Sequence, residues 1–387
     1  MERPLRIVIA GGGTGGHLFP GIAVAEEIKR RDMLSEVIFV GTEYGIEASV
    51  IPREGYPLKF LRAEGVVGKS VVRKIKGTAK MVFSLLDSYR LLRSLRPDVV
   101  VGTGGYASFS PVLAGRLMSL PTVVMEQNAV PGLANTLLGK IADAVCVTYH
   151  ESISYFPVNK TFITGNPIRD GVLSGTKEKA YDLFGLGKDK FTILVLGGSS
   201  GARKINNAVC EGFSHLTMVK AKIQFLHQTG KADYEAIRET YRKWGFSGTV
   251  TAFIHRMPEA YAVADLVISR AGSSTLAELM AIGKASILIP YPYAANNHQE
   301  FNARKLSGMN AARMILDRDV NGEGLAKNIM ELYSDNNVRL ELQKACSALG
   351  KPDAAQKVVD IVMSLVRAKK VRRTELKAAR NRTGKEN

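Results

Sequence analysis

The sequence predicts an α/β protein built from two Rossmann-like halves, each a parallel sheet flanked by helices. Three observations carry that reading. Short runs of aliphatic and β-branched residues alternate with amphipathic stretches along most of the chain. The alternation falls into two series, separated near GNPIRDGVLSG by glycine, proline and polar residues. Several apolar runs also end in a glycine-rich turn that opens directly into a helical pattern. At 387 residues the chain is long enough for two cores.

The first series opens with RIVIA, an unbroken apolar run of the kind a parallel strand shows when helices cover both its faces. It enters GGGTGGHLFP and the helical stretch PGIAVAEEIKRR. EVIFVG, DVVVGTGG, PTVVMEQN and AVCVT follow as strands before TFITGNPIRD. The second series contains FTILVLGGSSGARKIN, KIQFLHQTG, GTVTAFI, DLVISRAGSSTLAELMA and SILIPYPY. AAQKVVDIVMSLVRAKK reads as a closing helix. Two facing sheets would present their carboxyl-end crevices to one cleft, the expected place for a ligand.

Composition is globular, with 45% hydrophobic and 23% charged residues. No apolar run reaches the roughly 18 residues of a membrane span, and MERPLRIVIA runs into a turn rather than a cleavage site. A cytosolic protein is expected. Cys146, Cys210 and Cys346 show no ligand spacing, so no disulfide framework or zinc site is expected. The formal charge of +17 is concentrated: residues 66–96 and 367–387 together contribute +14. Such segments suit an anionic partner.

Three turns share one design: Gly11 to Gly16, Gly102 to Tyr106 and Gly197 to Arg203. Glycine permits close backbone approach, and the following helix offers N–H groups and a positive dipole end, so the set points to phosphate binding. Gly11, Gly13 and Gly16 also match GxGxxG, which leaves an NAD-dependent oxidoreductase as an alternative, although Glu43 lies further on than the acidic partner usually does. A fourth candidate is SRAGSSTLAELM, with Ser273, Ser274 and Thr275 at a helix start and Glu278 one turn later. There, a carboxylate could take the ribose hydroxyls of a nucleotide; Thr275 and Glu278 also fit a capping box.

GGGTGGHLFP, GTGGYAS, MEQN, TGNPIR, GGSSGAR, SRAGSSTLAEL and NNHQEFNA occur in the order and at the spacings of the MurG family. Over roughly residues 5–365 the chain resembles this glycosyltransferase family 28, of the GT-B superfamily. The resemblance implies a GT-B fold, two Rossmann-like domains with a deep cleft, and transfer of N-acetylglucosamine from UDP-N-acetylglucosamine to lipid I, giving lipid II. It places an acceptor and membrane-facing domain at 1–164 and a donor domain at 165–340, with a helix at about 341–366 packing back on the first. In family terms Ile254 lines the uracil pocket through its backbone and Glu278 takes the ribose. Ser199, Ser273, Ser274 and Thr275 meet the diphosphate, Arg169 lies near the nucleotide, and Asn128, His298 and Gln299 meet the sugar. Thr14, Gly15 and Gly16 join this donor set. The chain has His298 where some members carry glutamine.

The acceptor also carries a diphosphate, which assigns it Gly13, Gly104, Gly105 and Tyr106 on the first two turns. His17 follows the first turn and suits the general base that deprotonates the acceptor's C4 hydroxyl. Glu126 is a rival base, and a helix-capping or phosphate-bonding imidazole is the plainer alternative. His150, His215, His227 and His255 have no comparable setting. No DxD-like pair or metal cluster stands at a strand end, so neither metal nor cofactor is expected. Residues 66–96 mix apolar residues with cations and fit an anionic inner-membrane surface, so a peripheral position on its cytoplasmic side is expected. The basic tail 367–387 reads as disordered, and no nucleic-acid recognition motif is present. A GT-B transferase with another lipid acceptor and a basic adaptor protein remain as alternatives.

Overall fold

The structure, a computed structural model, describes residues 3–61, 71–198 and 200–383; of 71–82, 373 and 376–383 it describes the backbone alone. Ser199, residues 66–70 and residues 384–387 therefore lie outside the described residues. The chain forms two units, Met1–Pro167 with Asp353–Asn387, and Ile168–Pro352.

The first unit contains β1 (Arg6–Gly11), α1 (Gly15–Arg31), β2 (Glu36–Gly41), α2 (Glu47–Arg53), β3 (Leu58–Phe60), α3 (Val71–Leu95) and β4 (Val99–Gly104). α4 (Tyr106–Leu117), β5 (Thr122–Glu126), α5 (Leu133–Ile141), β6 (Ala144–Val147) and β7 (Thr161–Ile163) follow. All seven strands are parallel, in the order β3-β2-β1-β4-β5-β6-β7. Ile7 and Ile9 face one core with Leu18 and Ile22 of α1, and Val8 and Ala10 face the other with Leu92 of α3 and Val112 of α4. Both faces are covered, which is why the strand sequences do not alternate with polar residues. Each fully buried aliphatic side chain contributes about 1.5–3 kcal/mol.

The second unit contains α6 (Lys177–Phe184), β8 (Phe191–Leu196), α7 (Arg203–Glu211), β9 (Ile223–Gln228), α8 (Tyr234–Trp244), β10 (Gly248–Thr251), α9 (Met257–Val263) and β11 (Leu266–Ser269). It continues with α10 (Ser273–Ile282), β12 (Ser286–Leu288), α11 (His298–Gly308), β13 (Arg313–Met314), α12 (Gly322–Ser334) and α13 (Asn336–Ala348). Its parallel sheet runs β10-β9-β8-β11-β12-β13. Ile193 and Val195 face α7 residues Ile205 and Val209, while Leu194 and Leu196 face α10 residues Leu276 and Leu279.

The chain returns to the first unit as α14 (Ala354–Thr383). Val358, Val362 and Val366 repeat every four residues and enter the core that holds Ile7 and Ile9. Arg31 reinforces the packing, pairing with Asp360 at 2.5 Å and donating to the Gln356 carbonyl at 3.1 Å. Three expectations are corrected here. The helix expected over 341–366 is two helices, because Gly350 and Pro352 interrupt it, and α13 belongs to the second unit through Leu342 and Cys346. The expected boundaries at 164 and 340 move to 167 and 352. Residues 367–383, expected to be disordered, are helical. They contain no glycine or proline, and a helix already nucleated on a core propagates at little cost.

Candidate active site

β1 and β4 are the strands at which the strand order of the first sheet reverses, so the loops leaving their carboxyl ends lie side by side. The structure fits them together tightly. Gly104 and Gly105 hold φ angles of 104° and 74°. A Cβ on Gly104 would stand 2.6 Å from His17 Nδ1, and one on Gly105 would stand 2.9 Å from the Gly12 carbonyl oxygen. Side chains at either position are excluded by both φ and space.

His17 sits in the first turn of α1, and its Nδ1 lies 3.2 Å from Gln127 Oε1. The buried Gln127 amide donates through Nε2 to the Thr103 carbonyl at 2.8 Å and the Met125 carbonyl at 3.3 Å. Its oxygen is thus an acceptor toward the ring, so Nδ1 carries the proton and the neutral imidazole keeps its lone pair on Nε2. This is the tautomer a general base needs, with its donor nitrogen held by the protein. Gln127 stands inside the MEQN motif, but sequence reasoning passed over it in favour of its neighbours Glu126 and Asn128.

Glu126 is corrected as a rival base. Buried at the end of β5, its carboxylate accepts the Asn128 N–H at 2.9 Å, Asn128 Nδ2 at 3.2 Å, the Gly132 N–H at 3.2 Å and Asn135 Nδ2 at 2.8 Å. Those donors commit its lone pairs to shaping the loop after β5. Asn128 is held in this loop, and Thr14, Gly15 and Gly16 stand at the start of α1, so all four belong to the first unit.

The first glycine turn contains a feature the sequence did not announce. Buried Glu47, from the start of α2, accepts the Gly13 N–H at 2.8 Å and both the N–H and the hydroxyl of Thr42 at 2.9 and 2.8 Å. The Gly13 amide, expected at the acceptor, is engaged by this carboxylate, which fixes the turn. Tyr106, the first residue of α4, is 39% exposed, and a Cβ on Gly13 would touch its ring at 3.6 Å.

In the second unit the strand order reverses between β8 and β11, and the loops after them carry GGSSGAR and RAGSS. α10 begins at Ser273 with Gly272 as its N-cap, and its first ladder bond runs from the Leu276 N–H to the Gly272 carbonyl at 3.0 Å. The amides of Ser273, Ser274 and Thr275 thus precede the ladder, at the positive end of the helix dipole. The capping-box alternative falls: Thr275 is inside the helix, and Glu278 turns instead to Tyr261 and Arg169. Tyr261 donates its hydroxyl to Glu278 Oε2 at 2.8 Å, and Arg169 Nη2 lies 3.9 Å from Oε1. Burial pushes the Glu278 pKa above the usual carboxylate value, with Arg169 and Tyr261 opposing the shift.

Ile254 is buried, and its N–H donates to Gln228 Oε1 at 2.8 Å while Gln228 Nε2 donates to the Gly198 carbonyl at 2.8 Å. Gln228, another residue the sequence did not single out, ties the β8 loop to the segment after β10. Gln299 accepts the Tyr291 N–H at 3.0 Å, and His298 donates through Nδ1 to the Ala295 carbonyl at 2.7 Å; both open α11.

The chain matches the model of the glycosyltransferase family 28 N-terminal domain over residues 7–147 and that of the C-terminal domain over residues 192–358. It is 54% identical over 366 residues to a UDP-N-acetylglucosamine--N-acetylmuramyl-(pentapeptide) pyrophosphoryl-undecaprenol N-acetylglucosamine transferase of Thermodesulfovibrio yellowstonii, covering 95% of this chain and 100% of that protein. It is 46% identical over 360 residues to the transferase of the same name from Citrifermentans bemidjiense, covering 93% and 99%. Among solved structures it is similar to Acinetobacter baumannii MurG, with a TM-score of 0.72 and 26% identity over 93% of this chain and 100% of that one. It is also similar to Neisseria meningitidis UDP-GlcNAc 2-epimerase, with a TM-score of 0.65 and 13% identity over 93% of this chain and 100% of that one, a likeness of fold alone.

Proposed function

The chain belongs to glycosyltransferase family 28, and from that membership we propose that it transfers N-acetylglucosamine from UDP-N-acetylglucosamine to the C4 hydroxyl of the muramyl sugar of lipid I, giving lipid II for peptidoglycan synthesis. The observation that carries the reading is His17, held between two glycine turns with its Nδ1 proton on Gln127.

Nε2 takes the C4 proton as that oxygen attacks the anomeric carbon from the face opposite the departing UDP, so the configuration inverts. General-base catalysis of this kind supplies a factor of about 10²–10⁴. The acceptor diphosphate lies over the turns that hold Gly13, Gly104 and Gly105, with Tyr106 beside it. In the second unit the amides of Ser273, Ser274 and Thr275, with Ser199, receive the donor diphosphate and stabilise its growing charge as it leaves. Glu278 accepts the ribose hydroxyls from a position Tyr261 and Arg169 fix, the Ile254 backbone contacts the base, and His298 and Gln299 meet the sugar.

The protein works at an anionic membrane surface, on the cytoplasmic side. Supporting this, Phe83, Leu86 and Tyr89 are exposed at helical spacing on α3 with Arg90 and Arg93 close by in sequence. Among the described residues no helix is long and apolar enough to cross a membrane.

The test is transfer of labelled N-acetylglucosamine to a lipid I analogue, with UDP-glucose as a competing donor and diacylglycerol as a competing acceptor. Transfer confined to UDP-N-acetylglucosamine and lipid I supports the reading. Transfer to diacylglycerol alone assigns the fold to another lipid acceptor.

A further inference from the structure

The carboxylate of Glu47 fills a space that three glycines leave for it. A Cβ on Gly12, in the first turn, would collide with the Glu47 carboxyl group, as would one on Gly45, and one on Gly41 would stand 2.6 Å from Glu47 Cγ. Glu47 is 1% exposed. Among the described residues its partners are N–H and hydroxyl donors, with no cation among them. A carboxylate taken this far out of water stays there only because such donors receive it.

Those donors come from the ends of two strands. Oε2 accepts the Gly13 N–H, 34 positions away, while Oε1 accepts the N–H and hydroxyl of Thr42, just after β2. Glu126 differs in this respect, because its donors come from the loop and helix directly after it. Glu47 thus ties the turn after β1 to the turn after β2. The residue after Gly13 anchors the start of α1: the Thr14 carbonyl accepts the His17 N–H at 3.2 Å and the Leu18 N–H at 3.1 Å. On the other side of Gly13, the Gly12 carbonyl meets Gly105, where a Cβ would also stand 3.3 Å from His17 Cδ2. A displaced Gly13 would carry the His17 backbone with it and press the Gly12 carbonyl into Gly105.

We propose that Glu47 is a positioning residue for His17. As a resident anion on the Gly13 amide it sets the first glycine turn, and through the turn it sets the approach of the imidazole to Gln127. The effect on turnover rests on the general-base reading of His17. With its N–H engaged from within the protein, Gly13 is closed to an incoming phosphate.

The test variant is Glu47→Gln in the full chain. It keeps the side chain's volume, and whichever way the amide turns, its NH2 end faces an N–H that the carboxylate accepted. Thr42→Val is the control, since it removes the hydroxyl donor and leaves the Gly13 bond in place. Urea unfolding should show both variants destabilised. In Glu47→Gln alone, kcat for transfer to a lipid I analogue should fall about tenfold to a hundredfold, the scale of a misplaced reacting group, with the KM for UDP-N-acetylglucosamine unchanged. In a His17→Ala background the same substitution should cost little more, because residues that act as one unit are not additive. Nitrogen-15 NMR of the His17 ring reads the geometry without turnover: the Nδ1–H tautomer should dominate in the wild-type chain and in Thr42→Val, and lose ground in Glu47→Gln. An unchanged ring spectrum in Glu47→Gln, or an equal loss of kcat with and without His17, overturns the proposal. So does a lower KM for the lipid I analogue, since the carboxylate would then be competing with the acceptor's phosphate. Equal transfer by the wild-type and His17→Ala chains would sink the general-base reading, while the ring spectrum would still decide whether Glu47 positions His17.

Discussion

Replacing Tyr261 with phenylalanine removes one oxygen and leaves the ring, so it isolates the hydrogen bond to Glu278 without opening a cavity. That bond is 2.8 Å long, and both residues are buried. A donor taken from a charged acceptor costs about 1.5–3 kcal/mol. The pH dependence sharpens the test. Burial already raises the Glu278 pKa above the ordinary value of 4.5, so the folded protein holds this proton more tightly than the unfolded chain does. Stability linked to the proton is fully present below the unfolded value and is lost as pH rises through the folded value. Losing the tyrosine donor raises the folded pKa further, so Tyr261→Phe should be most destabilising at neutral pH and least at about pH 4. Urea unfolding at the two pH values reads this difference. The donor Kd, measured with UDP at neutral pH, should rise about tenfold, because the carboxylate we propose as the acceptor of the ribose hydroxyls has lost an orienting partner. Equal destabilisation at both pH values, with an unchanged Kd, would refute the reasoning.

Gln127→Leu should lower kcat about tenfold with little change in the KM for UDP-N-acetylglucosamine, since it frees the imidazole to adopt the wrong tautomer while the residues expected to hold the nucleotide are unaltered. Gly104→Ala puts a methyl group 2.6 Å from His17 Nδ1 at a φ of 104° and should cost about a hundredfold in kcat, read in the same transfer assay. His227 is fully buried between Tyr241 and Asn206, and burial lowers its pKa from 6.5 to about 3. Its neutral form therefore stabilises the fold above pH 6.5, and that contribution fades as pH falls toward 3. In His227→Gln this part of the acid dependence of urea unfolding should disappear.

Much of this architecture was legible because it rests on local patterns. Unbroken runs such as RIVIA and TILVL become strands covered on both faces, and the glycines after them close the βα turns at the strand-order reversals. The residues that aim the chemistry were not legible, because their partners come from distant segments. Gln127 meets His17 across 110 positions, Gln228 meets Ile254 across 26, and Tyr261 reaches Glu278 across 17. Glu126 looked like a base because a carboxylate at a strand end is exposed to that reading; only the four donors around it reveal an anchor. The helical tail is not legible because its basic composition reads as disorder, whereas residues 367–383 extend a helix whose valines are anchored upstream.

The central claim is that His17 Nε2 removes the acceptor proton during an inverting transfer. The most direct measurement is the rate of N-acetylglucosamine transfer to a lipid I analogue by the wild-type chain and by His17→Ala, with the anomeric configuration of the product determined by NMR. A general base at His17 requires a β-linked product from the α-linked donor and a loss in kcat of about 10²–10⁴ in the variant, with UDP binding retained. An α-linked product, or a His17→Ala enzyme that transfers at the wild-type rate, would contradict it.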